Sequence, residues 1–181
     1  MPSLEKEIIQ DILSSKSSSF PIFVETGTHM GGTIQVVEPL FDRLYTIEIK
    51  EEFINNVKSS YSGSKINFIL GDSSIELEKL TKVLDNNTVF FLDGHWSAGN
   101  TGRGTKDCPL YEEVTGIANN FKHTGIIIID DFRLFGAEIC NWEDIRKDRI
   151  VEILGARVEK VYHLPSSFHP EDRLIIEINK I

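Results

Sequence analysis

The sequence predicts an α/β fold, a mostly parallel sheet with helices on both faces. Three observations carry this expectation. Short apolar runs alternate with helical stretches along the chain, the order that yields parallel strands joined by covering helices. One run, GIIIID (125–130), is almost wholly apolar, as a central strand buried on both faces must be. The last two strand segments, near 157–163 and 172–179, are separated only by LPSSFHPED, a link suited to an antiparallel hairpin and not to a crossover.

Taken in order, a first helix over about 3–14 places Leu4, Ile8, Ile9, Ile12 and Leu13 at helical spacing, with Ser3 as its cap and Glu5 near its positive end. SSKSSS (14–19) separates that helix from the rest of the chain. Strands are expected at PIFVE (21–25), RLYTIE (43–48), KINFIL (65–70), TVFFLD (88–93) and GIIIID, with helices near 31–40, 51–60, 73–84, 107–121 and 142–153. The expected organisation is one domain over 1–181, with a helix and Ser-rich connector over 1–19 and the core over 20–181.

Composition narrows the class. At 181 residues and 40% hydrophobic, the chain can bury a real core. Its net charge of -9 works against the attraction on which nucleic-acid binders rely, so no nucleic-acid partner is expected. No run approaches the roughly 20 apolar residues of a membrane helix, and no membrane partner is expected. Glu5, Glu7 and Asp11 in the first stretch argue against a targeting peptide. A soluble, cytoplasmic protein is the expectation, with homo-oligomerisation left open. Cys108 and Cys140 lie far apart without metal-ligand spacing; they read as free thiols in a reducing compartment or as one disulfide.

The strand ends supply Glu25, Glu48, Asp72, Asp93, Asp130 and Asp131, all on the rim where open sheets bind ligands. One such acid is an ordinary helix cap; strand after strand ending this way points to a site. After the first strand comes ETGTHMGGT (25–33). Gly27 permits a tight turn, Gly31 and Gly32 permit close approach of a ligand, and Thr28 and Thr33 offer hydroxyls. The spacing E-x-G-x-x-x-G is not G-x-G-x-x-G, which disfavours a dinucleotide. Glu48 is placed to accept both hydroxyls of a ribose. Asp72, with Ser73 beside it, either accepts from an adenine amine or merely caps the next helix.

In this combination the chain from Pro21 to Asn179 resembles the class I S-adenosylmethionine-dependent methyltransferases. The resemblance implies a Rossmann-like, seven-stranded sheet of order 3-2-1-4-5-7-6 with strand 7 antiparallel. It also implies S-adenosyl-L-methionine as methyl donor, held by the glycine loop, by Glu48 at the ribose and by Asp72 at the adenine. LDGHW (92–96) with IIIIDDF (126–132) further resembles metal-dependent O-methyltransferases of the macrocin O-methyltransferase type, and more distantly catechol O-methyltransferase. That likeness implies Asp93, Asp130 and Asp131 as ligands of a divalent metal such as Mg2+, and His95 as general base with Asp93 beside it. An oxygen-rich cluster suits a hard cation; without one it would repel itself. His95 has a second reading, as a hydrogen-bonding anchor of its loop.

The implied activity is O-methylation of a small-molecule hydroxyl, on a sugar or glycan. No Asn-Pro-Pro-Tyr-like motif comes after the fourth strand, which counts against an amino-group methyltransferase acting on nucleic acid. Other chemistry on the same scaffold, such as hydroxylation, and a non-catalytic binding module are the alternatives. The long loop from Gly94 to Pro109, with Gly99, Gly102 and Gly104, reads as a lid. Trp96 either stacks on a sugar or packs under that loop, and Arg103 and Lys106 either meet an anionic substrate or are solvated. Phe132, Arg133, Phe135, Trp142, Phe168 and His169, on the other rim loops, are candidate acceptor contacts.

Overall fold

The computed structural model describes residues 4–96, 99 and 101–181. Seven strands form one sheet: β1 (Ile22–Thr26), β2 (Arg43–Glu48), β3 (Ile66–Leu70), β4 (Thr88–Leu92), β5 (Gly125–Ile129), β6 (Val158–Leu164) and β7 (Arg173–Ile178). Their order is β3-β2-β1-β4-β5-β7-β6. Strands β1 to β5 pair in parallel, whereas β7 runs antiparallel to both β5 and β6. Chain order therefore reverses between β1 and β4, and the crevice of such a sheet opens there.

Burial explains the arrangement. Every residue of β1, β4, β5 and β7 is buried. Alternate side chains along β4 enter opposite layers, because successive residues of a strand point to opposite faces. Phe90 and Leu92 join Leu77, Leu80, Val114 and Ile117, beneath α4 (Ser73–Thr81) and α5 (Leu110–Asn120). Val89 and Phe91 join Ile9, Ile12, Ile34, Val37 and Val57, beneath α1 (Lys6–Ser14), α2 (Gly32–Val37) and α3 (Glu51–Ser60). The sixth helix, α6 (Lys147–Leu154), adds Ile150 and Leu154 to the first layer.

Several helix bounds differ from expectation for local reasons. Pro39 lies at the start of a short 3-10 turn, Glu38–Leu40, directly after α2; a ring without an N–H does not continue the α-helical ladder. Pro109 takes the N-cap position of α5, which leaves Asp107 and Cys108 in the preceding loop. Residues 142–146, expected to be helical, form turns, and extended Arg146 stands before α6. Helix α1 begins after Glu5, which makes no side-chain cap bond; Ser3 lies outside the described residues. Both cysteines are free, and burial pushes the Cys108 thiol up to about 12. Among the described residues, no helix is long and apolar enough to cross a membrane.

Candidate active site

The loops after β1 to β5 and the β6–β7 loop line one cleft of about 640 Å3, the size of a small-molecule site. The β1 loop forms one wall. Gly27 has φ +84°, and a Cβ there would stand 2.3 Å from the Asp93 carbonyl oxygen, so only glycine lets the two loops cross. Gly31 also has positive φ, but the space its missing Cβ leaves faces Val57, 2.6 Å away, and not the cleft. Gly32 opens α2 and lines the cleft.

Two threonines tie this loop to the sheet. Thr28 Oγ1 and Thr46 Oγ1 are 2.5 Å apart, and Thr46 donates to Glu25 Oε2 at 2.8 Å. Glu25 is buried; burial and the nearby Asp93 and Glu48 charges hold its carboxyl well above the usual range despite the Thr46 bond. Thr33 Oγ1 accepts the Leu4 N–H at 3.3 Å, fastening the N-terminal segment to α2.

Glu48 and Asp72 sit at neighbouring strand ends but differ in capacity. Glu48 accepts one backbone N–H on each oxygen, from His29 and from Lys50, both at 2.9 Å. A carboxylate has about four acceptor sites, so Glu48 retains two. On Asp72, Oδ1 accepts both the Ser74 N–H (3.0 Å) and the Ser74 hydroxyl (2.7 Å), capping α4. Its Oδ2 accepts the Thr105 N–H and hydroxyl, each at 3.0 Å. Asp72 is therefore full, and these bonds outweigh burial to hold it below the usual carboxylate range.

Thr105 belongs to a strap, residues 101–107, that lies over this end of the cleft. A Cβ on Gly102 would meet Ile49 at 2.3 Å and Glu48 Oε1 at 3.1 Å; one on Gly104 would meet Asp72 Oδ2 at 2.6 Å. Arg103 anchors the strap, with two bonds to Asp107 (2.6 and 3.0 Å) and its guanidinium carbon 4.4 Å from the Trp96 ring centroid. Trp96 thus packs under the strap, and Lys106 pairs with Glu112 at 2.5 Å. Ser97, Ala98 and Asn100, in the same loop, lie outside the described residues.

At the other end, His95 Nε2 is 2.9 Å from Asp131 Oδ2 and Nδ1 is 3.6 Å from Asp93 Oδ1. Burial lowers the imidazole pKa, but the Asp131 hydrogen bond and the charges of Asp93, Asp131 and Asp130 raise it further, for a net rise. Asp131 has φ +58°, a left-handed backbone that aspartate tolerates better than most residues. Burial raises Asp131, yet the His95 bond and the His95 and Arg133 charges bring it below its ordinary value.

The three aspartates expected to share a metal fall into two overlapping groups that have Asp131 in common. Asp93, His95 and Asp131 form one group, with ligand atoms within 4.8 Å of one another; Asp130, Asp131 and Asp172 form the second. The second already holds cations: Arg133 Nη1 bridges Asp131 and Asp172, and Arg173 Nε lies 3.7 Å from Asp130 Oδ1. Asp130 is nevertheless pushed well above the usual carboxylate range by burial and by the Asp93 and Asp131 charges, which Arg173 only partly offsets.

Three contributors escape the sequence reading. Asp172 is fully buried and Arg173 nearly so, and Arg173 Nη1 reaches Glu5 Oε2 at 2.8 Å from the N-terminal segment. Glu113, on α5, is buried beneath Gly94, whose Cβ, if present, would lie 3.0 Å from Glu113 Oε1, Ser73 Oγ and Thr26 Oγ1 alike. Burial pushes Glu113 up to about 7. A signal for it existed: Leu110, Glu113, Val114 and Ile117 share one buried helix face, so the acid interrupts an apolar stripe.

Among solved structures, SMU.1697c of Streptococcus mutans, provisionally assigned as a methyltransferase and solved with SAH, superposes with TM-score 0.63 at 15% identity over 100% of both chains. An rRNA methylase from Streptococcus thermophilus gives 0.57 at 16% identity over 100% of this chain and 99% of the other. The N-methyltransferase NodS from Bradyrhizobium japonicum WM9 gives 0.61 at 12% identity, covering 96% and 92%. With the sheet order and the antiparallel β7, this decides the architecture. The chain has the class I methyltransferase fold. Within that fold, the glycine loop, Glu48 and Asp72 lie on one side of the crevice, and Asp93, His95 and Asp131 flank the other. At these identities the likeness speaks for the methyltransferase fold and not for a particular reaction. No protein-family model and no curated protein matches the sequence.

Proposed function

We propose that this protein is an S-adenosylmethionine-dependent O-methyltransferase acting on the hydroxyl of a small molecule, a sugar or glycan. The observation that carries the reading is the division of one cleft into two chemistries. A glycine turn and the half-satisfied carboxylate of Glu48 form one end, and an imidazole held between Asp93 and Asp131 forms the other. The neighbours SMU.1697c and NodS have been solved with SAH, the spent form of the same donor.

The residues present fit such a donor. Glu48 keeps two acceptor sites, enough for a ribose diol, and it stands beside the glycine turn, accepting the His29 N–H from it. When bound, the donor supplies a methyl group on a positively charged sulfur. The chain's own residues would orient the acceptor and remove its proton. Orientation carries much of such a reaction, because alignment replaces an encounter. A neutral hydroxyl is a poor nucleophile, so a base within hydrogen-bond reach is needed. His95 is that base in this reading: Asp131 fixes the ring through Nε2, leaving Nδ1 toward Asp93 for proton exchange. The acidic cleft and the net charge of -9 favour a small acceptor over a nucleic acid.

A second reading rests on the donor set Asp93, His95 and Asp131. Two carboxylates and an imidazole are suitable ligands for a divalent ion, and the nitrogen donor tilts preference from Mg2+ toward Mn2+ or Zn2+. A cation there would lower the acceptor's pKa directly, and His95 would be a ligand instead of a base. Titration calorimetry with SAH tests the first element: no heat of binding overturns the transferase reading. Methyl transfer to candidate sugars with and without excess chelator then separates base from metal, since only the metal reading loses turnover.

A further inference from the structure

The loop between β6 and β7 holds one large aromatic ring against the cleft. Phe168 is 78% exposed and lines the same cleft as Asp93, His95 and Asp131. Exposure alone assigns nothing, because single exposed apolar residues are ordinary on surfaces. The support behind the ring is what sets it apart. The Arg133 guanidinium carbon lies 4.9 Å from its centroid, and that guanidinium also reaches Asp131 Oδ1 at 2.5 Å and Asp172. The Phe168 N–H donates to Ser166 Oγ at 3.0 Å, and the Ser166 hydroxyl donates to buried Asp172 at 2.6 Å. The Ser166 N–H closes the turn on the His169 carbonyl at 2.9 Å. One guanidinium thus connects the exposed ring to the carboxylate that holds His95.

We propose that Phe168 is the stacking platform for the acceptor, a sugar ring whose C–H face lies on Phe168 while its hydroxyl rim turns toward His95. Arg133 is the positioning residue that fixes the distance between platform and base. The inference rests on the methyltransferase reading and adds the acceptor subsite to it. A sugar fits this wall because one face of the ring is apolar and its edge is hydroxylated. Beside Phe168 stand the polar residues Ser166 and Ser167, with Asp131 beyond Arg133. An acceptor apolar all round would take the Ser167 hydroxyl and the remaining lone pairs of Asp131 away from water without offering hydrogen bonds in exchange, at a cost. A platform already held by its neighbours loses little freedom on binding.

The test uses the full chain saturated with SAH and, as probes, the methyl glycosides of glucose, galactose and rhamnose, with catechol as comparison. Saturation-transfer NMR is expected to show at least one glycoside bound through the C–H protons of one ring face. Phe168→Ala should weaken that binding at least fivefold, and Phe168→Trp should retain it. SAH affinity should stay within twofold in both variants, which also certifies that they fold. Failure of the wild-type protein to bind SAH overturns the underlying transferase reading. SAH binding with glycosides unbound, or bound equally by Phe168→Ala, overturns only the platform. Phe168-dependent binding of catechol in place of every glycoside overturns the sugar assignment. Concentration-dependent self-association that vanishes in Phe168→Ala, without any glycoside effect, reassigns the ring to an interface between copies and overturns the proposal.

Discussion

His95 Nε2 lies 2.9 Å from Asp131 Oδ2, and the same ring's Nδ1 is 3.6 Å from Asp93 Oδ1. A buried imidazole flanked in this way holds its proton past the ordinary histidine range, because the two carboxylates outweigh burial. As a base it works only once that proton has left. Turnover should therefore rise with pH through an apparent pKa above the usual value of about 6.5. Asp131→Asn, which removes the nearer carboxylate, should move the rising limb to lower pH and cut the plateau by roughly 10- to 100-fold. A pH–rate profile of both proteins checks this, and an unshifted limb would exclude His95 as the titrating group.

Gly27 tests the crossing of the β1 and β4 loops. Alanine there must adopt φ +84° with its Cβ 2.3 Å from the Asp93 carbonyl oxygen. The loops must part, so Gly27→Ala should lose SAH binding by at least tenfold and stability by about 2 kcal/mol or more. Urea unfolding and calorimetry on the same sample would check both; a variant with native SAH affinity would show that the crossing does not shape the donor site.

Thr105 and an adenine amine would compete for one oxygen. Asp72 Oδ2 already accepts both the N–H and the hydroxyl of Thr105. Thr105→Val removes the hydroxyl contact and should strengthen SAH binding by roughly threefold to tenfold, the net worth of one ordinary hydrogen bond. Equal affinity in the two proteins would mean that Asp72 serves the helix cap and the strap alone.

Glu113 should make stability depend on pH. Its carboxyl has its ordinary value of 4.5 when unfolded and rises to about 7 when folded, through burial first. Between those values the folded state binds more protons than the unfolded one, so stability falls as pH rises from about 4.5 to 7 and is flat beyond. The loss attributable to this group is about 3 kcal/mol in order of magnitude. Glu113→Gln, neutral throughout, should match the wild type near pH 4.5 and exceed it at pH 8 in urea midpoint. Parallel curves for the two proteins across that range would show that Glu113 titrates alike folded and unfolded.

Much of this architecture was legible because its causes are local. The apolar runs of β4 and β5 and the carboxylates at the ends of the parallel strands are read directly from residue order; the former form the buried core of the sheet and the latter line one cleft. Helix lengths were less legible where a proline intervened, as at Pro39 and Pro109. The partners of the metal-ligand candidates were not legible. Asp130 and Asp131 keep carboxylate oxygens within 4.8 Å of each other, yet Asp130 has Arg173 nearby while Asp131 pairs with His95 and Arg133. Such side-chain pairings across loops leave no pattern in residue order. Asp172 and Arg173 were hidden for another reason: the expected order already set β7 beside β5, but strand order does not specify the side-chain contacts of Asp172 with Arg133 and of Arg173 with Asp130.

The four bonds on Asp72 also bear on how ligands of this protein are to be found. A molecule that reaches Asp72 must first evict Thr105 and so exchanges one set of contacts for another. Its apparent affinity is reduced by the fraction of molecules with the strap already lifted. A melting-temperature screen, which reads net gain alone, will rank such compounds below those that settle only at the His95 end. Direct affinity measurements on a strap-weakened variant will recover them.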